Sequence, residues 1–145
     1  MTSTTTFLLL SFFYFIQYSD ALFNIIGSTQ SVTVTGKLVC EEQPANNVLV
    51  KMYDDGTIYD SKLGSTRTSS DGTFSVSGTY KDITTLDPKV NIYHSCNYNG
   101  PCSKKVQINI PDYAVASGSS ATTNYDIGTL NLANQFSGET TDCIH

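Results

Sequence analysis

Apolar and polar residues alternate with a period of two in seven stretches of this chain, and no run of ten residues carries a capped 3.6-residue apolar period. In residues 31–40, Val32, Val34, Leu38 and Cys40 share one face, with Thr33, Thr35 and Lys37 on the other, and Gly36 marks a bulge or a close backbone contact. Residues 48–53 form a second strand, stopped by Asp54-Asp55-Gly56. Residues 65–69 and 73–77 flank Asp71-Gly72, a strong two-residue hairpin signal, with Phe74 and Val76 toward the core. Residues 88–96 and 102–110 fold about Asn99 as an antiparallel hairpin that sets Ile92 opposite Val106 and Val90 opposite Ile108. That register buries Val90, Ile92, Val106, Ile108 and Ile110, and turns Asn91, Tyr93, Ser103, Lys105, Gln107 and Asn109 to water. The last strand, 124–132, changes parity around Gly128 and Thr129, which predicts a bulge. About seven short antiparallel strands and no helix predict an all-β fold, a two-sheet Greek-key β-sandwich.

Residues 1–21 have a different texture. An apolar run through Phe7 to Ile16 ends in Ser19-Asp20-Ala21, the layout of a secretory signal with cleavage between Ala21 and Leu22, although Lys and Arg are missing from its amino end. The run is too short for a membrane span, and the polar tail 137–145 does not resemble a lipid-anchor signal. Roughly 124 residues from Leu22 to His145 then make one domain. That part has eight basic and twelve acidic side chains, a net charge of minus four, and so is poorly suited to holding nucleic acid. Four cysteines in an exported chain of this size read as two disulfides, because Cys-x-x-Cys is absent and two histidines are too few for a typical zinc site. The hairpin register sets Cys96 against Cys102, and elimination then joins Cys40 to Cys143. This second bond closes a loop of roughly a hundred residues and is expected to stabilise more than the first.

Candidate chemistry is sparse. His94 beside Ser95 and Cys96 suggests a nucleophile with its base, but neighbours along a strand point to opposite faces, so His94 reads as a structural residue opposite Lys104 at the mouth of the sandwich. Asp54, Asp55 and Asp60 invite a calcium reading, yet lack EF-hand spacing and are better explained as turn residues. Gly-x-Ser-x-Gly, His-Glu-x-x-His and Asn-x-Ser/Thr do not occur. Catalytic residues, metal ligands and cofactors are therefore not expected. Tyr53, Tyr59, Tyr80, Tyr93, Tyr98 and Tyr113 could build a protein-binding surface, and Lys104-Lys105 gives only a weak basic face.

Gly36-Lys37-Leu38-Val39-Cys40, Val50-Lys51-Met52-Tyr53-Asp54, Asp71-Gly72-Thr73-Phe74, 87–96, 126–132 and the ending Asp142-Cys143-Ile144-His145 together resemble the nematode transthyretin-like family over essentially the whole exported chain. The resemblance implies a transthyretin-like (prealbumin-type) sandwich and a secreted, extracellular protein that can associate with the cell surface. It implies no single activity. What it suggests is a non-enzymatic binding protein for an extracellular protein, a lipid head group such as phosphatidylserine, or a small hydrophobic ligand; the alternative is a host- or matrix-directed interaction protein. Hydrolases that act on hydroxyisourate, the remote alternative, use histidines, an arginine and a Tyr-Arg-Gly-Ser ending, whereas this chain has only His94, His145 and Arg67. Two departures from transthyretin itself stand out: five residues between Cys96 and Cys102 leave no room for its helix, and the tail after Leu132 has no second apolar strand. Transthyretin dimerises through that edge, so a monomer without a hormone channel is expected.

Overall fold

In the computed structural model, residues 27–121 and 124–145 are described; the expected cleavage point between Ala21 and Leu22 lies outside them. In chain order the elements are β1 (Ser28–Cys40), β2 (Gln43–Pro44), β3 (Leu49–Asp54), β4 (Ser61–Arg67), β5 (Thr73–Asp82), β6 (Pro88–His94), β7 (Ser103–Asn109), a 3-10 turn (Asp112–Ala114), β8 (Ala116–Ser117), β9 (Tyr125–Asn131) and β10 (Thr140–Asp142). All seven predicted strands have a counterpart, but β4 runs from Ser61 to Arg67 instead of 65–69, and β5 continues past 77 to Asp82. In one sheet β1 pairs with β5 and, past the end of β5, with β2 along one side, and with β8 and β9 along the other; the second sheet runs β10-β7-β6-β3-β4. Connections that cross between the sheets place β1 parallel to β9, the first long strand beside the last.

Because strand side chains alternate, each sheet turns one apolar row inward. Val32, Val34 and Leu38 of β1 and Phe74 and Val76 of β5 meet Val50 and Met52 of β3, Val90 and Ile92 of β6 and Val106 of β7. Burying each of these Val, Leu or Ile side chains contributes about 1.5–3 kcal/mol. The parity change in β9 is a bulge: Thr35 pairs with Asp126 and Lys37 with Thr129, leaving one extra residue on β9. Gly36 is the close contact: a Cβ there would lie 2.6 Å from Ile127 Cγ1 and 2.8 Å from Phe74 Cε1.

Four expectations are corrected. The hairpin register holds from Lys89↔Asn109 to His94↔Lys104 and then ends. Beyond it Asn97 and Cys102 take left-handed backbone, φ 51° and 72°, so the chain coils and Cys96 does not face Cys102. The disulfides are Cys40–Cys96, with Cα atoms 5.7 Å apart, and Cys102–Cys143, at 4.4 Å. The first joins the end of β1 in one sheet to the segment after β6 in the other; the second ties the tail, just past Asp142, to the residue that precedes β7.

Asn91 and Tyr93 are buried, not facing water. β6 is the third of five strands, so neighbours cover it on both sides, and the chain's last residue lies over it: His145 stacks on the Tyr93 ring at 4.6 Å, with Lys51 Nζ 5.9 Å from the same ring. Asp71-Gly72 makes the expected tight turn, with Gly72 N–H donating to Ser69 O and Thr73 N–H to Asp71 Oδ1. It is no hairpin, though, because β4 pairs with β3 and β5 with β1, so the turn hands the chain from one sheet to the other. Farther along, away from this turn, Gly78 lets β5 and β4 touch: a Cβ there would sit 2.6 Å from Leu63 O. Finally, the polar tail supplies a short edge strand, β10, through Thr140↔Lys105 and Asp142↔Ser103.

Candidate binding surface

The two ends of the sandwich are built differently. At one end both disulfides converge on the loops after β1 and β6 and on the tail. The opposite end has no covalent tie and gathers residues 55–60, 82–87 and 110–117 beyond the strand pairs Asp54↔Pro88, Lys89↔Asn109 and Ser28↔Asp82.

Hydrogen bonds brace these loops. Buried Gln30 donates from Nε2 to Thr84 O at 2.7 Å and accepts the Leu86 N–H at 2.9 Å, fixing the 82–87 connection to β1. Asp54 Oδ1 accepts the Asp87 N–H at 2.7 Å, and the Asp55 N–H donates to Asp87 O at 2.8 Å. Lys89 Nζ lies 3.1 Å from Asp55 Oδ1 and 2.7 Å from Asp60 Oδ2. Burial opposes the Lys89 charge, but the Asp60 and Asp55 hydrogen bonds outweigh it and raise its pKa, while Lys89 lowers that of Asp60. All three carboxylates of the calcium reading are thus engaged in holding loops. Among the described residues no group of three or more His, Cys, Asp or Glu side chains is placed to hold a metal ion.

These braced loops display apolar side chains to water: Ile58 is 90% exposed, Tyr59 73%, Ile83 73% and Tyr113 80%, with Tyr80 beside them. Ile58, Tyr59 and Tyr80 line an open hollow of about 250 Å³, together with Asp54 and Asp82. Of the six tyrosines read from the sequence, Tyr59, Tyr80 and Tyr113 meet the solvent at this end. Tyr98 belongs to the disulfide end, where its hydroxyl donates to Pro101 O, and Tyr93 is covered by the tail. The sequence carried no sign that Ile58 and Ile83 would join them, because an apolar residue in a loop reads the same whether it packs inward or not.

The outward face of the second sheet is the basic side. Lys51, Lys62, Arg67, Lys89 and Lys105, five of the eight cations, stand on the outward rows of its strands, while Lys104 shares the inward row with His94 and Val106. Lys105 faces Asp142 at 3.7 Å and Lys89 pairs with Asp55 and Asp60, so the positive face is partly neutralised.

His94 points inward at the disulfide end, opposite Lys104 as expected. Its Nδ1 accepts the Cys96 N–H at 3.1 Å, which leaves the proton of the neutral ring on Nε2, 3.8 Å from Glu139 Oε2; Lys104 Nζ holds the other Glu139 oxygen at 2.9 Å. Burial lowers the His94 pKa, with Glu139 opposing and Lys104 reinforcing the shift. The folded protein therefore disfavours the imidazolium, and His94 contributes stability that is complete above its unfolded pKa near 6.5 and is lost as pH falls below it. The slope from this one group is at most about 1.4 kcal/mol per pH unit. Urea unfolding at pH 7.5 and 5.5 is expected to show a smaller acid loss in His94→Asn, whose amide oxygen replaces Nδ1, than in the parent; equal losses would exclude His94 as the group responsible. His94 and His145 lie on opposite faces of the second sheet, with Arg67 on its outer strand, so the residues a hydroxyisourate hydrolase would need are not brought together.

Comparison with known proteins fits this architecture. The model of the Transthyretin-like family matches residues 35–111, from the middle of β1 to the end of β7. Transthyretin-like protein 5 of Caenorhabditis elegans is 45% identical over 124 residues, covering 83% of this chain and 89% of the relative. Transthyretin-like protein 33 of the same animal is 41% identical over 130 residues, covering 88% and 87%, and Transthyretin-like protein 2 is 36% identical over 133 residues, covering 86% and 90%. With a two-sheet sandwich, two disulfides and matches that run through most of both chains, this protein belongs to the transthyretin-like family.

Proposed function

We propose that this is a secreted, non-enzymatic binding protein that engages its partner through the disulfide-free end of the sandwich. The observation that carries the reading is the gathering of Ile58, Tyr59, Tyr80, Ile83 and Tyr113 on loops held in place by internal hydrogen bonds. Binding loops mounted on a rigid sandwich need not be ordered on contact, which lowers the entropic cost of association. Hollows of about 210 to 280 Å³ lie open to solvent and fall short of the roughly 300–1,000 Å³ of small-molecule pockets, so a protein partner suits a single chain better than a small hydrophobic ligand. The reading supposes a monomer: β10 offers only three residues of edge for pairing, and pairing through the longer edge strand β4 would show as a dimer in sedimentation.

A second reading, recognition of a phosphatidylserine head group, rests on the cations of the second sheet, Lys51, Lys62 and Arg67 among them. One experiment separates the two. The immobilised protein is exposed to extracellular fluid and to vesicles with and without phosphatidylserine, beside Ile58→Ser/Tyr59→Ser and Lys51→Gln/Arg67→Gln variants. Saturable retention of a discrete protein, lost in the first variant and kept in the second, is expected; phosphatidylserine-dependent vesicle binding lost only in the second would reverse the assignment.

Export is part of the same proposal. Two disulfides suit an oxidising compartment, and among the described residues no helix is long and apolar enough to cross a membrane. Sequencing the amino terminus of the secreted protein is expected to find Leu22, and Met1 there would overturn the cleavage point.

A further inference from the structure

We infer that the disulfide-free end receives a protein segment presenting arginine or lysine around apolar side chains. This names the partner class for the surface proposed above and rests on that reading. Singly exposed apolar residues are ordinary, but here they share one end with a concentration of negative charge. Asp54, Asp55, Asp60, Asp82, Asp87 and Asp112, six of the chain's thirteen carboxylates, lie in these loops or at the strand ends that carry them, against three cations there, Lys62, Lys81 and Lys89. Lys89 is taken up by Asp55 and Asp60 and Asp54 is buried, so the negative balance falls on Asp82, Asp87 and Asp112. The hollow itself combines both chemistries, with Ile58, Tyr59 and Tyr80 between Asp54 and Asp82.

An occupant must therefore supply apolar groups for the hollow and cations for its rim. Arginine suits the place twice over, through paired hydrogen bonds to carboxylate and through stacking on tyrosine faces. An anionic bilayer is repelled by the same rim, which separates this surface from the basic face of the second sheet. Opposite charge also accelerates encounter, so the association should weaken with salt. A second copy could offer only its own partly neutralised basic face, and sedimentation tests that occupant.

The test uses the full secreted chain and a fluorescein-labelled amphipathic peptide of leucine and arginine, with a leucine–glutamate peptide of the same pattern as control. Fluorescence anisotropy at low and at physiological ionic strength should show salt-sensitive binding of the first peptide and none of the second. Ile58→Ser/Tyr59→Ser should weaken binding by about tenfold or more, and Asp87→Asn by roughly threefold. Glu42→Gln removes one exposed charge near the opposite, disulfide-bonded end and should leave affinity unchanged. These side chains make no hydrogen bond in the fold, so matching melting curves should accompany every variant.

Equal weakening by Glu42→Gln and Asp87→Asn, with none from Ile58→Ser/Tyr59→Ser, would mean that the peptide senses only overall acidity and would overturn the inference. So would equal binding of the glutamate peptide, or sedimentation of the chain alone as a dimer that Ile58→Ser/Tyr59→Ser dissolves. If the arginine peptide ignores this end while retention of an extracellular protein still depends on Ile58 and Tyr59, the surface is a contact site for a partner of other chemistry. That result sinks the inference and leaves the proposed function standing.

Discussion

Replacing Cys40 and Cys96 together by serine is expected to lower the melting temperature by roughly 10–20 °C, the larger effect of the two disulfides. The bond spans 56 residues of chain, for which the loop-entropy relation gives about 4 kcal/mol. It links the end of β1 to the segment after β6 across the interior, and Cys96 packs against the core, so its loss loosens the contact between sheets. Cys102–Cys143 spans 41 residues and has a similar unfolded-state contribution of about 4 kcal/mol. What it secures in the folded state differs: without it, the tail and β10 can detach from β7 while the sandwich stays closed. Freedom regained by the native tail offsets part of the freedom regained by the unfolded chain, so Cys102→Ser/Cys143→Ser should melt well above Cys40→Ser/Cys96→Ser. The released tail should also uncover Tyr93, visible as hydrogen exchange at residues 140–142 and as a change in tyrosine fluorescence. A lower melting point for Cys102→Ser/Cys143→Ser would show that the tail, not the inter-sheet staple, holds the fold.

Gly72→Ala is expected to cost about 2–4 kcal/mol, against about 1 kcal/mol for Gly138→Ala. Both glycines have positive φ, 82° and 76°, so an added methyl meets the same backbone penalty at each. Their surroundings differ. A Cβ on Gly138 would have no heavy atom within 4 Å, whereas on Gly72 it would run into the carbonyl oxygen of Leu38. That oxygen accepts the Ala45 N–H at 2.9 Å, and the Leu38 N–H donates to Gly72 O at 2.8 Å, so pushing it aside disturbs both the turn and β1. Denaturant unfolding of the two variants separates conformational strain from collision; equal losses would mean that Leu38 yields at no cost.

Asp71-Gly72 also shows how far the sequence reached. The dipeptide announced a tight turn correctly, since the left-handed glycine and the aspartate that caps Thr73 are local properties. Whether β4 and β5 then pair depends on which strands lie beside them, and β3 and β1 take those places. The exposed end has the same character: Asp54-Asp55-Gly56 read as a strand stop, but Gln30, more than fifty residues from Thr84 and Leu86, decides where the 82–87 loop stands.

The sequence by itself determined the seven long strands, their inward faces, the register of β6 and β7 and the bulge in β9, because a period of two and a parity break are written in neighbouring residues. It also led to the family through motifs spread along the chain. Only the tertiary structure decided the partners of the four cysteines, the cover over Tyr93 and the union of Ile58, Tyr59 and Tyr80 in one hollow. Each of these depends on where a strand ends and which distant segment arrives there, and left-handed residues such as Cys102 break the local alternation on which any reading from spacing relies.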